Sequence, residues 1–170
     1  MNKSVAICPG SFDPVTLGHL DVISRASKMF EKVYVVILKN AKKTYSFTPE
    51  ERAELLKKTI EDAGLKNVEV DSYDGLLADY AKKRDSKIIL KGLRAMSDFE
   101  YEFQMALANK KLNPEIETLF ITTAAENMYL SSSMVKQIAS MGGDISGFVP
   151  GVIHKDILQR LSEKERMNIK

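Results

Sequence analysis

One stretch near the N-terminus combines residues that could bind phosphate with a side chain that could act on it. The segment CPGSFDPVTLGH at residues 8–19 contains Gly10, Ser11, Gly18 and His19. Glycine lets a backbone approach a ligand closely, serine offers a hydroxyl, and imidazole can donate a hydrogen bond or exchange a proton. Glycine and proline are also typical of turns between elements. A phosphate-binding turn fits these residues, but the stretch alone leaves open whether His19 takes part in the chemistry or is incidental to the turn.

Basic and hydroxyl-bearing residues also follow later apolar runs of the chain, where predicted strands end. These residues are Lys39, Lys42 and Lys43 after the second run, Lys91, Gly92 and Arg94 after the fourth, and Ser131–Ser133 after the fifth. Lysine and arginine neutralise anions, and a helix N-terminus binds them through its free backbone amides. Taken singly, the lysines could be a solvated loop and the serines a plain helix N-cap. Taken together, these groups indicate a polyphosphate site.

Other kinds of phosphate and metal site lack their motifs. The chain has no G-x-x-x-x-G-K-[ST] segment and no G-x-G-x-x-G after its first apolar run, which argues against a P-loop and against a dinucleotide cofactor. The two histidines, His19 and His154, lie outside metal-ligand spacing of each other and of the single cysteine, Cys8. A structural zinc site therefore lacks ligands, and no metal-binding residue is predicted.

The composition is that of a globular chain with little net charge. It has 170 residues, of which 44% are hydrophobic and 28% charged, and its formal net charge is +2. The length suits one domain with a sizeable core, and the charge is too small to indicate a nucleic-acid partner. A single cysteine excludes an internal disulfide, and Cys8 is interpreted as a small buried residue. Because no apolar run reaches about 18 residues, we expect no membrane association and a cytoplasmic location.

The elements that must position these side chains alternate along the chain. Short β-branched or apolar runs are predicted as strands at residues 4–8, 32–39, 68–73, 87–92 and 117–123. Helical patterns separate them, and a last helix is expected at about 152–166, before a polar tail at 167–170. We predict an α/β fold in a single domain, residues 1–170: a Rossmann-like, doubly wound, five-stranded parallel sheet in the order 3-2-1-4-5, with a C-terminal helix. Ligands of such sheets bind at the carboxyl ends of the strands, where the candidate residues converge.

Two helix starts carry capping-box patterns, in which a hydroxyl and an acid three residues apart satisfy free backbone amides. Thr48 with Glu51 predicts a helix that begins at Pro49. Ser97 with Glu100 predicts another, at the head of DFEYEFQMALANKKL. This second helix has apolar residues on more than one face, which leaves open subunit contacts or deep burial between neighbouring helices.

The motifs resemble those of the bacterial phosphopantetheine adenylyltransferase family, which is one of the nucleotidyltransferases with a T/H-x-G-H motif. The resemblance runs from about Val5 to Pro150 and is carried by PGSFDPVTLGHLDVISRA, FTPEER, KGLRAMSDFEYE and LSSSMVK. It implies an enzyme that transfers AMP from ATP to 4′-phosphopantetheine, giving dephospho-coenzyme A and pyrophosphate. It also implies a homohexamer, Mg²⁺ bound mainly through the nucleotide phosphates, and feedback inhibition by coenzyme A.

The resemblance assigns roles to individual positions. His19, Lys43 and Arg94 are expected to be catalytic, with His19 at the α-phosphate under attack and Lys43 near the acceptor phosphate. The residues expected to bind ATP are Ser11, Phe12, Gly18, His19, Lys91, Gly92, Arg94, Glu102, Asn127, Met128, Tyr129, Leu130, Ser131, Ser132 and Ser133. Those expected to bind the acceptor are Ser11, Lys43, Leu76, Leu77 and Lys91. Lys91 stands where the family usually has arginine and Asn127 where an aromatic is common, which leaves the phosphate and adenine geometry there open.

The expected reaction is direct in-line attack on the α-phosphorus without a covalent enzyme intermediate. The acceptor is already a phosphate anion and needs no general base, so pre-placed donors and cations supply the catalysis. Two alternatives stay open. One is a sister nucleotidyltransferase with another acceptor, such as nicotinamide mononucleotide or glycerol phosphate. The other is a non-catalytic nucleotide-binding module, which would bind nucleotide without releasing pyrophosphate.

Overall fold

Five parallel strands form the centre of the fold. The computed structural model describes residues 4–39 and 44–168, the side chains of 162–168 excepted. The strands are β1 (Val5–Gly10), β2 (Lys32–Leu38), β3 (Val68–Tyr73), β4 (Ile88–Leu93) and β5 (Glu117–Thr122). They lie in the order β3-β2-β1-β4-β5, and every neighbouring pair is parallel. The predicted fold class and strand order are confirmed, and the order reverses between β1 and β4.

Helices connect these strands within the described ranges. They are α1 (Leu17–Met29), α2 (Pro49–Asp62), α3 (Leu77–Lys83), α4 (Met96–Leu112), α5 (Ser132–Ser140) and α6 (His154–Asn168). Short 3-10 turns at Ala125–Asn127 and Gly151–Ile153 precede α5 and α6. The last helix therefore begins two residues later than predicted, and it continues into the predicted polar tail. None of the described helices is both long and apolar enough to cross a membrane.

Alternate side chains of the sheet enter two separate apolar clusters, one on each face. Val35 and Ile37 of β2 lie in the cluster that includes residues of α1, α2, α5 and α6. Val36 lies between them in sequence and belongs to the other cluster, with residues of α3. Because successive strand residues point to opposite faces, an unbroken apolar strand indicates a sheet that is covered on both sides. Cys8 of β1 is buried in the first cluster, as predicted.

The two predicted capping boxes have different outcomes. The Thr48 hydroxyl accepts from the Glu51 amide at 3.2 Å, and the Glu51 carboxylate accepts from the Thr48 amide at 2.7 Å. This box is confirmed and starts α2 at Pro49. The box of Ser97 and Glu100 is wrong, because α4 begins before it, at Met96. The carboxylate of Asp98 instead accepts from a backbone amide that precedes this helix, that of Arg94, at 3.2 Å.

The helix α4 is poorly buried against the rest of the chain. Asn109 is its only buried residue. Its exposed large apolar side chains are Met96, Tyr101, Phe103, Met105, Leu107 and Leu112. The structure therefore excludes deep burial of α4 among the described helices. The other alternative, contacts between subunits, stays a prediction.

Candidate active site

The turn between β1 and α1 is shaped by an unusual backbone conformation at Phe12. This residue has a φ of 48°, and its buried ring folds back over Gly10. A Cβ at Gly10 would lie 2.8 Å from that ring. The packing of Phe12 therefore accounts for glycine at position 10, and an approach of phosphate to Gly10, which the sequence suggested, stays a prediction. On its other side, the Phe12 ring meets the His19 ring edge-on, with ring centroids 5.1 Å apart.

A buried carboxylate ties this turn to two distant segments. Asp13 is 4% exposed, and it accepts hydrogen bonds from the amides of Ser46 at 3.1 Å and Phe47 at 2.9 Å. It also forms an ion pair of 2.7 Å with Lys136 of α5. Sequence reasoning gave Asp13 no role, because its partners lie 33 to 123 residues away. The carboxylate links the β1–α1 turn, the segment before α2, and α5.

Two further side chains fix the backbone of the same turn. The guanidinium of Arg52, which is 1% exposed, donates to the Ser11 carbonyl at 2.8 Å. It also stacks over the ring of Tyr45, 4.2 Å from its centroid. The Ser132 hydroxyl, at the start of α5, donates to the Pro14 carbonyl at 2.7 Å. These contacts hold Ser11 in place with its own carbonyl turned into the protein.

His19 is held by a capping box of its own at the start of α1. Its Nδ1 accepts from the Thr16 amide at 3.0 Å, and the Thr16 hydroxyl accepts from the His19 amide at 3.4 Å. The imidazole thus takes the place that glutamate or glutamine has in the usual box. Because Nδ1 is an acceptor here, the ring proton of the neutral form sits on Nε2. The box leaves Nε2–H as the donor that can meet a ligand.

Electrostatics keep this ring neutral. Burial, followed by the positive charges of Arg94 and Lys91, lowers the pKa of His19 from 6.5 to about 4. A charged ring would have to lose its water shell beside two cations, which is unfavourable. Because β1 pairs with β4 in parallel, the carboxyl ends of the two strands lie side by side. His19 is therefore a neutral hydrogen-bond donor and not a titrating acid or base near pH 7.

We expect His19 to stay neutral throughout the physiological pH range. In a His154→Gln variant, which leaves His19 as the one histidine of the chain, its imidazole nitrogen NMR shifts should change only near pH 4. An unfolded histidine titrates near pH 6.5, so His19 also removes stability as the pH falls from about 6.5 towards 4. A folded-state midpoint near 6.5 would contradict the neutral ring.

The end of β4 supplies two cations, and each is paired with a carboxylate of α4. Lys91 Nζ lies 3.1 Å from Glu102 Oε1. Arg94 donates from Nε and Nη2 to the two oxygens of Asp98, both at 3.0 Å, and from Nη1 to the Leu130 carbonyl at 2.7 Å. The resemblance led us to expect Glu102 beside the nucleotide, and in this structure it lies beside Lys91. Both cations are thus held in place from α4 and the β5–α5 connection.

Packing requires glycine at position 92 but not at position 18. A Cβ at Gly92 would lie 2.9 Å from Cγ2 of Val22, so this glycine lets α1 pack closely on β4. A Cβ at Gly18 would meet Thr123 at 3.7 Å and Asn127 at 3.8 Å, which are ordinary contacts. Protein packing therefore does not demand glycine at position 18. These two neighbours show that the start of α1 lies against the connection that follows β5.

The connection between β5 and α5 brings the remaining ATP-site candidates to this edge of the sheet. Leu130 is buried, whereas Met128 and Tyr129 are more than half exposed, at 51% and 55%. The predicted serine cap is confirmed, since the Ser131 hydroxyl accepts from the Met134 amide at 3.1 Å. Ser133 is exposed. The free backbone amides at the start of α5 come directly after this serine cap.

Some candidates lie elsewhere. Leu76 is 53% exposed, and Leu77 is the first residue of α3, so both follow the outermost strand, β3. Lys39 pairs with Asp74 at 3.5 Å. Lys42 and Lys43 lie outside the described residues. The structure therefore assembles the nucleotide side of the predicted site from the ends of β1, β4 and β5, and it leaves the catalytic role of Lys43 a prediction.

The sequence and the fold are similar to those of known proteins. Residues 7–138 match the cytidylyltransferase-like family. The chain is 56% identical over 161 residues to a phosphopantetheine adenylyltransferase of Clostridium tetani, covering 95% of this chain and 99% of that protein. It is 52% identical over 156 residues to one of Synechococcus sp., covering 92% and 97%. Its fold is similar to that of a nicotinic acid mononucleotide adenylyltransferase of Plasmodium falciparum, with a TM-score of 0.73, 15% identity, and 93% and 96% of the chains covered. The chain belongs to the phosphopantetheine adenylyltransferase family of cytidylyltransferase-like proteins.

Proposed function

We propose that this chain transfers AMP from ATP to 4′-phosphopantetheine, which yields dephospho-coenzyme A and pyrophosphate. One observation carries the proposal: His19 is a neutral donor whose Nε2–H is left for a ligand, under the positive charge of Lys91 and Arg94. Family membership adds the acceptor, because relatives that are 53% to 56% identical carry the name of this activity. The backbone and cations at the same edge suit the triphosphate of the nucleotide.

The chemical step brings anions together and does not require a nucleophile to be made. An oxygen of the acceptor phosphate forms a bond to the α-phosphorus, while the bond from that phosphorus to the oxygen bridging to the β-phosphate breaks. The electron pair of the broken bond leaves with pyrophosphate, and no proton is removed from the acceptor. His19 donates from Nε2 to an oxygen of the α-phosphate, where charge must be tolerated as the two anions meet.

The cations of β4 have complementary roles in this step. Lys91 contributes a compact charge, and Arg94 contributes a planar set of donors, as suits the leaving pyrophosphate. Arg94 uses three of the five guanidinium N–H groups on Asp98 and Leu130. One N–H therefore remains on each terminal nitrogen for a phosphate oxygen. The exposed side chains of Met128 and Tyr129 are suited to contact the adenine.

A magnesium ion held by protein ligands does not fit the described residues. The carboxylates of Asp13, Asp98 and Glu102 each pair with a lysine or arginine, and no described group of three or more histidine, cysteine or acidic residues could hold a metal. We propose that Mg²⁺ enters with the nucleotide, bound to its phosphates.

A pyrophosphate-release assay over a panel of acceptors tests the proposed function. ATP and CTP are each combined with 4′-phosphopantetheine, nicotinamide mononucleotide, nicotinic acid mononucleotide and glycerol 3-phosphate. We expect pyrophosphate with ATP and 4′-phosphopantetheine alone. Release with another acceptor would identify a sister nucleotidyltransferase, and ATP binding without release would identify a binding module. Because coenzyme A retains the pantetheine arm of the product, we also propose that added coenzyme A inhibits the reaction. We further propose that the enzyme acts in the cytoplasm.

We propose that the exposed apolar side chains of α4 are covered by other copies of the chain in a homohexamer. Light scattering at micromolar concentration should give a mass about six times the 19.1 kDa of one chain. Replacing Tyr101 and Leu107, which are 60% and 56% exposed, by lysine should give smaller species with unchanged helicity. Met141→Lys is the matched control, because this residue is 77% exposed but lies outside α4. A monomeric wild type would refute this assembly.

A further inference from the structure

Among the described residues, Asp98 makes the most extensive contacts with Arg94. Asp98 accepts from Nε and Nη2 of Arg94 at 3.0 Å each, and from the Arg94 backbone amide at 3.2 Å. One carboxylate therefore fixes both ends of the same residue. A two-point pair of this kind defines the plane of the guanidinium, which a single contact would leave free to rotate.

Asp98 is itself firmly placed. It lies in the first turn of α4, where the helix N-terminus favours a negative charge. Its side chain is 25% exposed, so the pair is mostly shielded from water. The nearby charge and hydrogen bonds of Arg94 outweigh burial and keep the pKa of this carboxyl below its usual range. Asp98 is therefore an anion that stays in position at neutral pH.

The third contact of Arg94 aligns it with the nucleotide side of the site. Its Nη1 donates to the carbonyl of Leu130, which directly precedes the serine triplet. The guanidinium thus spans from α4 to the β5–α5 connection. It has two attachment sites on the protein and still has one free N–H on each terminal nitrogen.

We propose that Asp98 is a positioning residue that fixes the guanidinium of Arg94, so that its two remaining N–H groups meet the β- and γ-phosphates of ATP. The inference rests on the proposed function, because it assumes that ATP is the ligand. The alternative is that Asp98 competes with the phosphates for Arg94. The two hypotheses predict opposite changes in ATP affinity: loss of a positioning carboxylate weakens ATP binding, whereas loss of a competitor strengthens it.

Calorimetric titration with ATP alone tests this proposal without any acceptor or turnover. Asp98→Asn keeps the size of the side chain and can still accept from a backbone amide, but it loses the charged two-point pair. We expect its Kd for ATP to rise about tenfold, the effect of losing a charge-assisted hydrogen bond. Asp98→Glu should recover part of the loss. Asp156→Asn is the matched control, because Asp156 forms an ion pair with Lys58 at 2.8 Å and neither residue is assigned to the ATP site.

The decisive comparison is made in an Arg94→Gln background. If Asp98 acts through Arg94, Asp98→Asn should change the Kd of that variant by less than about twofold. An equal loss of ATP affinity in both backgrounds would show a purely structural role for Asp98 and overturn the proposal. An unchanged or lower Kd for ATP in the Asp98→Asn single variant would also overturn it. Melting temperatures of all variants identify any that fail to fold, in which case Asp98→Glu decides. If the wild type does not bind ATP, the proposed function itself fails, which is a distinguishable outcome.

Discussion

Replacing His19 by alanine is expected to lower kcat at least about 100-fold, the effect of removing one donor from a site that stabilises developing negative charge. The neutral ring donates from Nε2, since its Nδ1 is occupied by the Thr16 amide. Alanine removes this donor and places nothing else near the α-phosphate. Steady-state pyrophosphate release at saturating ATP and acceptor measures the change.

The loss of the Thr16 capping box has to be separated from the loss of chemistry. Removing a helix cap costs about 1 kcal/mol of stability, which a melting curve detects. His154→Ala is the matched control for activity, since this histidine lies on α6, 3.8 Å from Asp144 and apart from the site residues. Near-normal turnover of a folded His19→Ala enzyme would remove His19 from the mechanism.

Asp13→Ala should destabilise the fold by about 3 kcal/mol or more, the usual cost of removing one partner of a buried ion pair. The substitution leaves Lys136 without its carboxylate and removes the acceptor of the Ser46 and Phe47 amides. Three segments of the site are then no longer tied together. Urea denaturation followed by circular dichroism measures the change in the free energy of unfolding.

The control for this prediction is a more exposed pair of similar geometry. Lys58 and Asp156 are 2.8 Å apart and about 40% exposed, so Asp156→Ala should cost less than about 1 kcal/mol. Lys136→Met tests the same ion pair from its other partner and should also destabilise the fold, since it leaves the buried Asp13 carboxyl without its ion-pair partner. If Asp13→Ala lowers the free energy of unfolding no more than Asp156→Ala does, the hydrogen bonds and ion pair of Asp13 contribute little to stability.

The sheet was predictable from local patterns, because its strands are unbroken apolar runs. Runs such as KVYVVILK can be satisfied only if both faces of the sheet are covered, and the alternation with helices restricts the connections to parallel crossovers. The Thr48 cap was predictable for the same reason: its partner, Glu51, lies within one helical turn. Features that depend on one dominant interaction between residues close in sequence can therefore be predicted.

The supports of the site were not predictable, because they join residues that are far apart in sequence. Nothing near Asp13 indicates Lys136, and the pattern FTPEER makes Arg52 look like an exposed helix residue, although it is buried under the β1–α1 turn. The error at Ser97 has a different cause. The pattern of Ser97 and Glu100 fits a capping box, but α4 begins at Met96 without a side-chain cap, and Asp98 in its first turn accepts from Arg94 instead.

One missed feature could have been found. Thr16 and His19 have the spacing of a capping box, with histidine in place of the usual acid. Considering imidazole as an acceptor at that position would have predicted the Nε2 tautomer before the structure. The family resemblance identified the residue, whereas the local hydrogen bonds explain its protonation state.

The burial of Cys8 makes the chain convenient for site-specific labelling. Loss of hydration raises the pKa of its thiol to about 12, against a smaller opposing effect of Lys91, so very little thiolate exists at neutral pH. Thiol-labelling reagents are electrophiles that react with thiolates, so Cys8 should be modified slowly in the folded chain. A cysteine introduced at an exposed position outside the proposed ATP site, such as Met141 at the end of α5, can carry a fluorophore without prior removal of the native cysteine. The fluorophore then reports on α5 while ATP binds.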